Sequence, residues 1–456
     1  MTAEDVKDLR DRIAGEIVLP DDGAWDAARQ AWNLSVDQRP VAVALPESAD
    51  DVAAVVEFAG ARGLRVAAQG TGHSAAPLGP LEQTILIKTS KMRGVEIDAQ
   101  ARRARVQSGA LWGDVVPLAA EHGLAALAGS AKDVGVVGYT LGGGIGWLAR
   151  SHGLACTSVL AVEAVAADGR ILQADAESEP DLFWALRGGG GSFAVVTGLK
   201  FALHPVAEVY AGAMFWPMDR AGEILHAWSE LVAKAPRELT SLGRLMQFPP
   251  IPDIPEPFRG RSFVLVEAAY LGAEDDGAEL LAPLRALAPE LDTFATIPIE
   301  GLSELHMDPP QPVPGAGDGM LLSELPSEAI EALVAVAGPG SGSPLLSVEV
   351  RQLGGALADP SNAGGALPSI DADFAVFSVG IAMDADSKAA VQAHAAKLRD
   401  ALAAWDTGRS FMNFTERHAD PSELFAEDAY ARLRRIKAGY DPKGVIRGNH
   451  AITPPV

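Results

Sequence analysis

Val66-Ala-Ala-Gln-Gly-Thr-Gly-His-Ser74 and, further along, Gly138-Tyr-Thr-Leu-Gly-Gly-Gly-Ile-Gly146 are the two stretches on which the reading of this chain turns. In the first, a short apolar strand runs into a glycine turn that carries one histidine, His73, at its tip. In the second, glycines let backbone N–H groups approach a phosphate with no Cβ in the way. A nucleophilic side chain beside a phosphate cradle points to a bound cofactor.

The flanking sequence reads as an α+β fold. Val41-Ala-Val-Ala-Leu45 is a strand, Pro46-Glu-Ser-Ala-Asp50 caps a helix to about Gly63, and Leu64-Arg-Val-Ala-Ala68 is the next strand. Thr84-Ile-Leu-Ile-Lys88, Gly94-Val-Glu-Ile-Asp98 and Arg103-Ala-Arg-Val-Gln107 alternate as half-buried strands do, and Leu111 to His122 reads as a helix stopped by Gly123. A strand at Val159–Ala166, a short helix at Asp181–Arg187 and a strand at Ser192–Gly198 follow. From 208 to 405 the pattern predicts an antiparallel sheet covered by helices at Ala221–Ala235, Asp276–Ala288, Ser327–Ala337 and Lys388–Ala404. Strand-like runs there are Ser262–Glu267, Ser347–Arg351 and Phe374–Gly380. The division is thus an N-terminal helical segment (1–36), a first domain (37–207), a second (208–405), and a tail (406–456), too short and irregular for a domain, that docks on one already made.

Bulk properties limit the partners. The formal charge of −23, from 60 acidic and 37 basic residues, gives no counterion-release affinity for nucleic acid and repels anionic membranes. A single cysteine, Cys156, excludes an intrachain disulfide and a cysteine zinc site, and reads as a small buried hydrophobe. The charged N-terminus has no apolar signal region and no long apolar span occurs, so a cytoplasmic location is the expectation. Oligomeric state has no sequence signal.

Gly70-Thr-Gly-His-Ser-Ala75 formally satisfies the G-x-G-x-x-A dinucleotide fingerprint after a strand. That fingerprint also requires a helix opening at the turn and an acid about twenty residues on. Here the turn runs into Pro77-Leu-Gly-Pro80, and the region of Lys88 and Lys91 is basic. A nicotinamide site is set aside.

The same residues resemble the R-G-x-G-H-S turn of the vanillyl-alcohol-oxidase/PCMH flavoproteins, in particular the bacterial berberine-bridge-enzyme-like branch. Val134-Gly-Val-Val-Gly-Tyr-Thr-Leu-Gly-Gly-Gly-Ile-Gly-Trp147 is similar to that family's second FAD loop. So are Gly153-Leu154, Asp181-Leu-Phe-Trp-Ala-Leu-Arg-Gly-Gly-Gly-Gly191 with Val195-Val-Thr197, and the terminal Tyr440-Asp-Pro with Asn449-His-Ala-Ile452. The resemblance implies a PCMH-type two-subdomain FAD-binding domain, a substrate domain, and a C-terminal segment that rejoins the first. It implies that Gly70, Thr71, Gly72 and Ser74 hold the pyrophosphate. Gly135, Gly138, Thr140, Gly143 and Gly146 would line the flavin, Val196 would lie near the adenine, and Asn413 and Asn449 would belong to the cofactor site. It also implies a covalent bond from His73 to the flavin 8α carbon.

Departures from the family sharpen these expectations. Many members add a cysteine tether in G-x-C-x-x-V-G, where this chain reads Gly129-Ser-Ala-Lys-Asp-Val-Gly135 with Ala131 at the cysteine position. The link should then be single, through His73. Gln69 stands where the family's arginine precedes the first glycine. Val134, at the position over the flavin face, resembles the oxygen-admitting members and favours an oxidase. The related tyrosine base, in Tyr-x-Asn, is replaced by Phe411 in Phe411-Met-Asn-Phe414. On Ser347-Val-Glu-Val-Arg351, period-two alternation puts Ser347, Glu349 and Arg351 on one face. Glu349 is the candidate base and Arg351 the anion binder or charge tuner. A surface ion pair is the competing reading of those two, with Gln352, Tyr139 or Tyr270 as other bases.

The expected activity is an FAD-dependent oxidase that moves hydride from a small organic substrate to the flavin, with O2 as electron acceptor and H2O2 as product. A dehydrogenase using another acceptor, a flavin carrier without turnover, and a binding module without flavin are the alternatives. Apolar candidates Phe215, Trp216, Met246, Phe248 and Phe377 suggest a hydrophobic pocket, and the scarcity of basic anchors argues against a highly anionic substrate.

Overall fold

The computed structural model describes residues 3–362 and 364–455 and is built on three sheets. The first orders Glu16–Val18, Ala42–Leu45, Thr84–Lys88 and Arg65–Gln69, the last three parallel. Helix Ala49–Ala61 covers it, with Ser48 as N-cap accepting from the Asp51 N–H. Val52, Val55, Val56 and Phe58 are fully buried beneath that helix, each such side chain stabilising by about 1.5–3 kcal/mol. Within the segment read as helical (1–36) only Ala3–Arg12 and Trp25–Arg29 are helices, and Glu16–Val18 between them pairs with Ala42–Leu45 as a strand of this sheet; Met1 and Thr2 lie outside the described residues.

The second sheet is antiparallel and five-stranded: Val95–Asp98, Arg103–Gln107, Val195–Ala202, Val159–Val165, Ile171–Ala174. Leu111–His122 forms helix Trp112–Ala120, and Pro180–Leu186 is the short helix before the four glycines.

The third sheet has eight strands, all antiparallel. Its order is Leu291–Asp292, Glu208–Pro217, Ser262–Tyr270, Leu239–Gln247, Leu345–Gln352, Phe374–Ile381 and Gly315–Leu322, with Ala295–Pro298 also on Glu208–Pro217. Helices Ala221–Val232, Glu274–Arg285, Ser327–Ala337 and Ala385–Ala401 pack Leu225, Trp228, Leu281, Leu333 and Leu398 onto Leu245, Val264, Val266, Val348 and Val350. One face of the sheet is therefore spent on helices. The alternate residues Arg244, Glu267, Ser347, Glu349 and Arg351 emerge on the other.

Five of these eight strands escape the pattern reading, and for two of them the composition gives the physical reason. Gly315–Leu322 carries three glycines and an aspartate, residues of low strand propensity, and in Leu239–Gln247 the apolar positions are broken up by Thr240, Ser241, Gly243 and Arg244. Trp216 faces the helices and donates its indole N–H to the Leu287 carbonyl, so it is core and not pocket.

The tail returns to the first sheet, where Ile446 bridges to Val66 in parallel. Helix Glu427–Tyr440 packs on Pro180–Leu186. Lys437 is buried and donates to the Ser192 and Ile446 carbonyls and to Asp441. Among the described residues no helix is long and apolar enough to cross a membrane.

Candidate active site

Strand Arg65–Gln69 delivers the chain into the first glycine turn. Gly72 has φ +90°, and a Cβ there would meet Ala31 at 2.9 Å and Gln69 at 2.8 Å, so only glycine fits. The backbone N–H groups of Thr71, Gly72, His73 and Ser74 find no backbone acceptor among the described residues. Successive unpaired N–H groups at a glycine turn form an anion-binding nest. The second glycine run lies opposite: a Cβ on Gly135 would touch Thr71 at 3.8 Å, and a Cβ on Gly138 would point into open space. The nest at the first turn and the open space beside Gly138 fit the phosphates of FAD.

His73 is tightly framed. Its Nδ1 lies 2.7 Å from the Thr71 hydroxyl, and its ring stacks on Trp32 with centroids 4.1 Å apart. Trp32 donates its indole N–H to Asp133 at 2.5 Å, and the other Asp133 oxygen stands 3.7 Å from His73 Nε2. Burial pushes the Asp133 carboxyl up, but His73 and Trp32 outweigh it and hold the group below the usual carboxylate range. Asn449 donates to the Ser74 carbonyl, so the tail pins this turn from behind.

The remaining expected cofactor residues divide. Thr140 is buried in helix Val136–Leu141, and Val196 is buried on strand Val195–Ala202. Asn413 spends its side chain on the second glycine run, accepting from the Gly144 N–H and donating to the Tyr139 carbonyl. Two of the glycines expected to line the flavin are also required by internal packing. A Cβ on Gly143 would strike Phe411 at 2.8 Å, and one on Gly146 would lie 1.8 Å from the Ala128 carbonyl oxygen. Gly146→Ala should therefore cost about 1–3 kcal/mol by overpacking and lower the flavin-to-protein ratio of the purified protein; absorbance and thermal unfolding check it. Cys156 is fully buried, and burial pushes its thiol up to about 12, as befits an inert hydrophobe. Ala131 borders a cleft of about 370 Å³ that also touches Trp112, Lys132 and Glu304.

The second half of the site lies on the face of the eight-stranded sheet opposite the four long helices. Register places Arg244 directly across from Glu349. Arg244 donates to Glu267 at 3.1 Å, to the Ser347 hydroxyl at 2.8 Å and to the His306 carbonyl at 2.8 Å. His306 joins two carboxylates, Nδ1 to Glu267 at 2.5 Å and Nε2 to Glu349 at 3.0 Å. Arg351 reaches Glu349 at 3.3 Å. Carboxylates only accept, so both imidazole nitrogens must donate and His306 is an imidazolium. Burial and Arg244 push its pKa down, but Glu267 and Asp308 prevail and raise it to about 9. Burial raises the Glu349 carboxyl, yet Arg351 and His306 pull it well below the usual range.

Glu349 and Arg351 are 4% and 5% exposed, which overturns the surface ion pair. Gln352 points the other way and donates to the Val232 carbonyl. Burial raises the Tyr139 phenol far above its usual value, which removes it as a base at neutral pH. Tyr270 lies at the sheet rim, packed against the helix-side core. Around Arg351 stand Trp147 and Phe414, with ring centroids 5.8 and 5.6 Å from the guanidinium carbon, and Phe377 and Phe411 pack on Phe414.

The two halves meet through the loop that carries Ala131 and Val134. Ser130 donates to Asp308 at 2.6 Å and Lys132 pairs with Glu304 at 2.8 Å, docking that loop on the segment that bears His306. Sequence reasoning missed Arg244, Glu267, His306, Trp32 and Asp133. Only Glu267, a lone charge inside Phe-Val-Leu-Val-Glu-Ala-Ala, left a visible signal. The two buried arginines of the array, Arg244 and Arg351, are each paired with a carboxylate.

Comparisons with known proteins agree with this layout. A family described as FAD binding domain matches residues 40–175, and one described as Berberine and berberine like matches 410–453. The chain is 28% identical over 456 residues to (R)-6-hydroxynicotine oxidase of Paenarthrobacter nicotinovorans, covering 97% of each. It is 35% identical over 192 residues to glucooligosaccharide oxidase of Sarocladium strictum, 41% of this chain and 38% of that one. The crystal structure of 6-hydroxy-D-nicotine oxidase from Arthrobacter nicotinovorans superposes with a TM-score of 0.82 at 26% identity, over 97% of this chain and 98% of that one. Fold and site together define an FAD-linked oxidoreductase. The chain belongs to the berberine-bridge-enzyme-like branch of the vanillyl-alcohol-oxidase/PCMH superfamily.

Proposed function

We propose that this protein is an oxidase that takes hydride from a carbon of a small organic substrate (an alcohol, sugar or secondary metabolite) and passes the electrons to O2. Bound FAD supplies the hydride acceptor. The carrying observation is the buried Arg244–Glu267–His306–Glu349–Arg351 array, which sits on the sheet face turned away from the four long helices. Burying five ionised groups is costly for stability, and such arrays mark sites where charge does chemistry. Trp147, Phe414 and Phe411 exclude water around Arg351, while Glu349 accepts the hydrogen bond of a substrate hydroxyl and Arg351 steadies the oxygen as charge develops on it. The small side chain of Val134 and the names of the oxidase relatives support O2 as acceptor.

A dehydrogenase is the second reading. Stopped-flow mixing of reduced enzyme with aerated buffer separates the two: fast reoxidation with stoichiometric H2O2 is expected, and sluggish reoxidation would sink the oxidase assignment.

The cofactor is held by a single covalent bond to His73, since Ala131 offers no sulfur and Cys156 is buried away from solvent. The denatured protein should carry an FAD adduct that His73→Ala abolishes entirely. Intact-protein mass spectrometry reads both states.

A further inference from the structure

Nothing in the hydride-transfer scheme uses Asp133 or Trp32, yet both are built onto His73. The ring is held on three sides: Trp32 stacks on its face, the Thr71 hydroxyl meets Nδ1 at 2.7 Å, and Asp133 faces Nε2 at 3.7 Å. His73 Nε2 is buried with no hydrogen-bond partner of its own among the described residues. The Asp133 carboxylate is fixed by the Trp32 indole N–H at 2.5 Å, and Trp32 is fixed in turn by its backbone N–H on the Thr71 carbonyl at 2.9 Å. A carboxylate can only accept, so the tautomer that fits this frame carries its proton on Nε2, toward Asp133. Nδ1 then presents its lone pair, to which the Thr71 hydroxyl donates.

We propose that Asp133 is the positioning residue for cofactor attachment: it fixes the His73 tautomer, accepts the Nε2 proton, and so makes Nδ1 the nitrogen that bonds to the flavin. This rests on the covalent link proposed above. The logic is that of a nucleophile activated by a base held by a third group. In the balanced step, the Nδ1–C8α bond forms and one C8α–H bond breaks, leaving that bond's two electrons on the isoalloxazine ring. The C–H proton and the Nε2 proton, the latter leaving through Asp133, complete the reduced ring. Dioxygen then takes two electrons and two protons as H2O2, which restores the oxidised ring.

The test is the rate of adduct formation when flavin-free protein is mixed with FAD under air, read by mass after denaturation. Asp133→Asn keeps the shape and removes the base. It should still bind FAD and turn yellow, but lose most of the adduct, its formation slowed by roughly 10²–10⁴-fold. The residual rate should climb with pH as hydroxide substitutes for the missing carboxylate, whereas a purely structural role gives a flat profile. Asp133→Glu should restore part of the rate. Trp32→Phe keeps the stack and frees the carboxylate, so a several-fold slowing is expected, and this variant serves if Asp133→Asn does not fold. Peptide mapping with NMR of the adduct should place the bond on Nδ1. Adduct formation at the wild-type rate in both Asp133→Asn and Trp32→Phe, or a bond on Nε2, overturns the assignment while leaving the tether intact. A wild-type protein with no adduct overturns tether and assignment together.

Discussion

Glu349→Gln should slow flavin reduction by roughly 10²–10⁴-fold while the protein keeps its FAD. Glutamine preserves the volume but removes the anion that lies between the His306 imidazolium at 3.0 Å and the Arg351 guanidinium at 3.3 Å. Two buried cations are then left without the charge that separates them, which adds about 3–5 kcal/mol of destabilisation. The double variant Glu349→Gln/Arg351→Gln relieves that repulsion. It should recover much of the stability and none of the rate, which separates chemistry from folding. Anaerobic stopped-flow on flavin-replete protein is the measurement, and a reduction rate within twofold of wild type would remove Glu349 from the mechanism.

The same array sets a pH dependence. An unfolded histidine titrates near 6.5, and His306 in the folded protein is held up to about 9. Its contribution to stability is complete below about 6.5 and is lost as pH rises through about 9. Urea midpoints should fall across that interval, and His306→Gln should flatten the fall.

Lys437→Met should destabilise the protein by about 3–5 kcal/mol and loosen the cofactor. The Lys437 ammonium uses its donors on the Ser192 carbonyl at 2.5 Å, the Ile446 carbonyl at 2.8 Å and Asp441 at 2.5 Å. Asp441 is fully buried and also accepts from the Val445 and Ile446 N–H groups at 2.8 Å. Methionine leaves that carboxylate unpaired in the interior and strands two carbonyls. Because Ile446 bridges to Val66, and Asn449 beyond it holds the Ser74 carbonyl, the strain passes directly to the turn that carries His73. Denaturant unfolding should show the loss, and the double change Lys437→Met/Asp441→Leu should return part of it. A loss below about 1 kcal/mol in the single variant would contradict this account.

The glycine runs, the strands that flank them and the helix Ser327–Ala337 are legible in the sequence because they follow from local chemistry. Turn residues, period-two alternation and helical periodicity act over a few neighbours. Alternation likewise puts Glu349 and Arg351 on one face. It does not say whether that face meets water, because this depends on which side of the sheet the helices take. Arg244, Glu267 and His306 come from separate stretches and meet Glu349 only through strand register and the placing of one loop. Asp133 and Trp32 reach His73 from segments on either side of it in the chain.

By itself, then, the amino-acid sequence marked the glycine turn as a candidate phosphate cradle, and its family resemblance marked His73 as the candidate for a covalent link and Ala131 as the residue at the family's cysteine position, since each is read from contiguous residues. Only the tertiary structure decided that Glu349 is a buried, doubly held carboxylate, and that His73 leans on Asp133. Burial and long-range pairing are set by how the sheets and loops close on one another, which no short window of sequence contains.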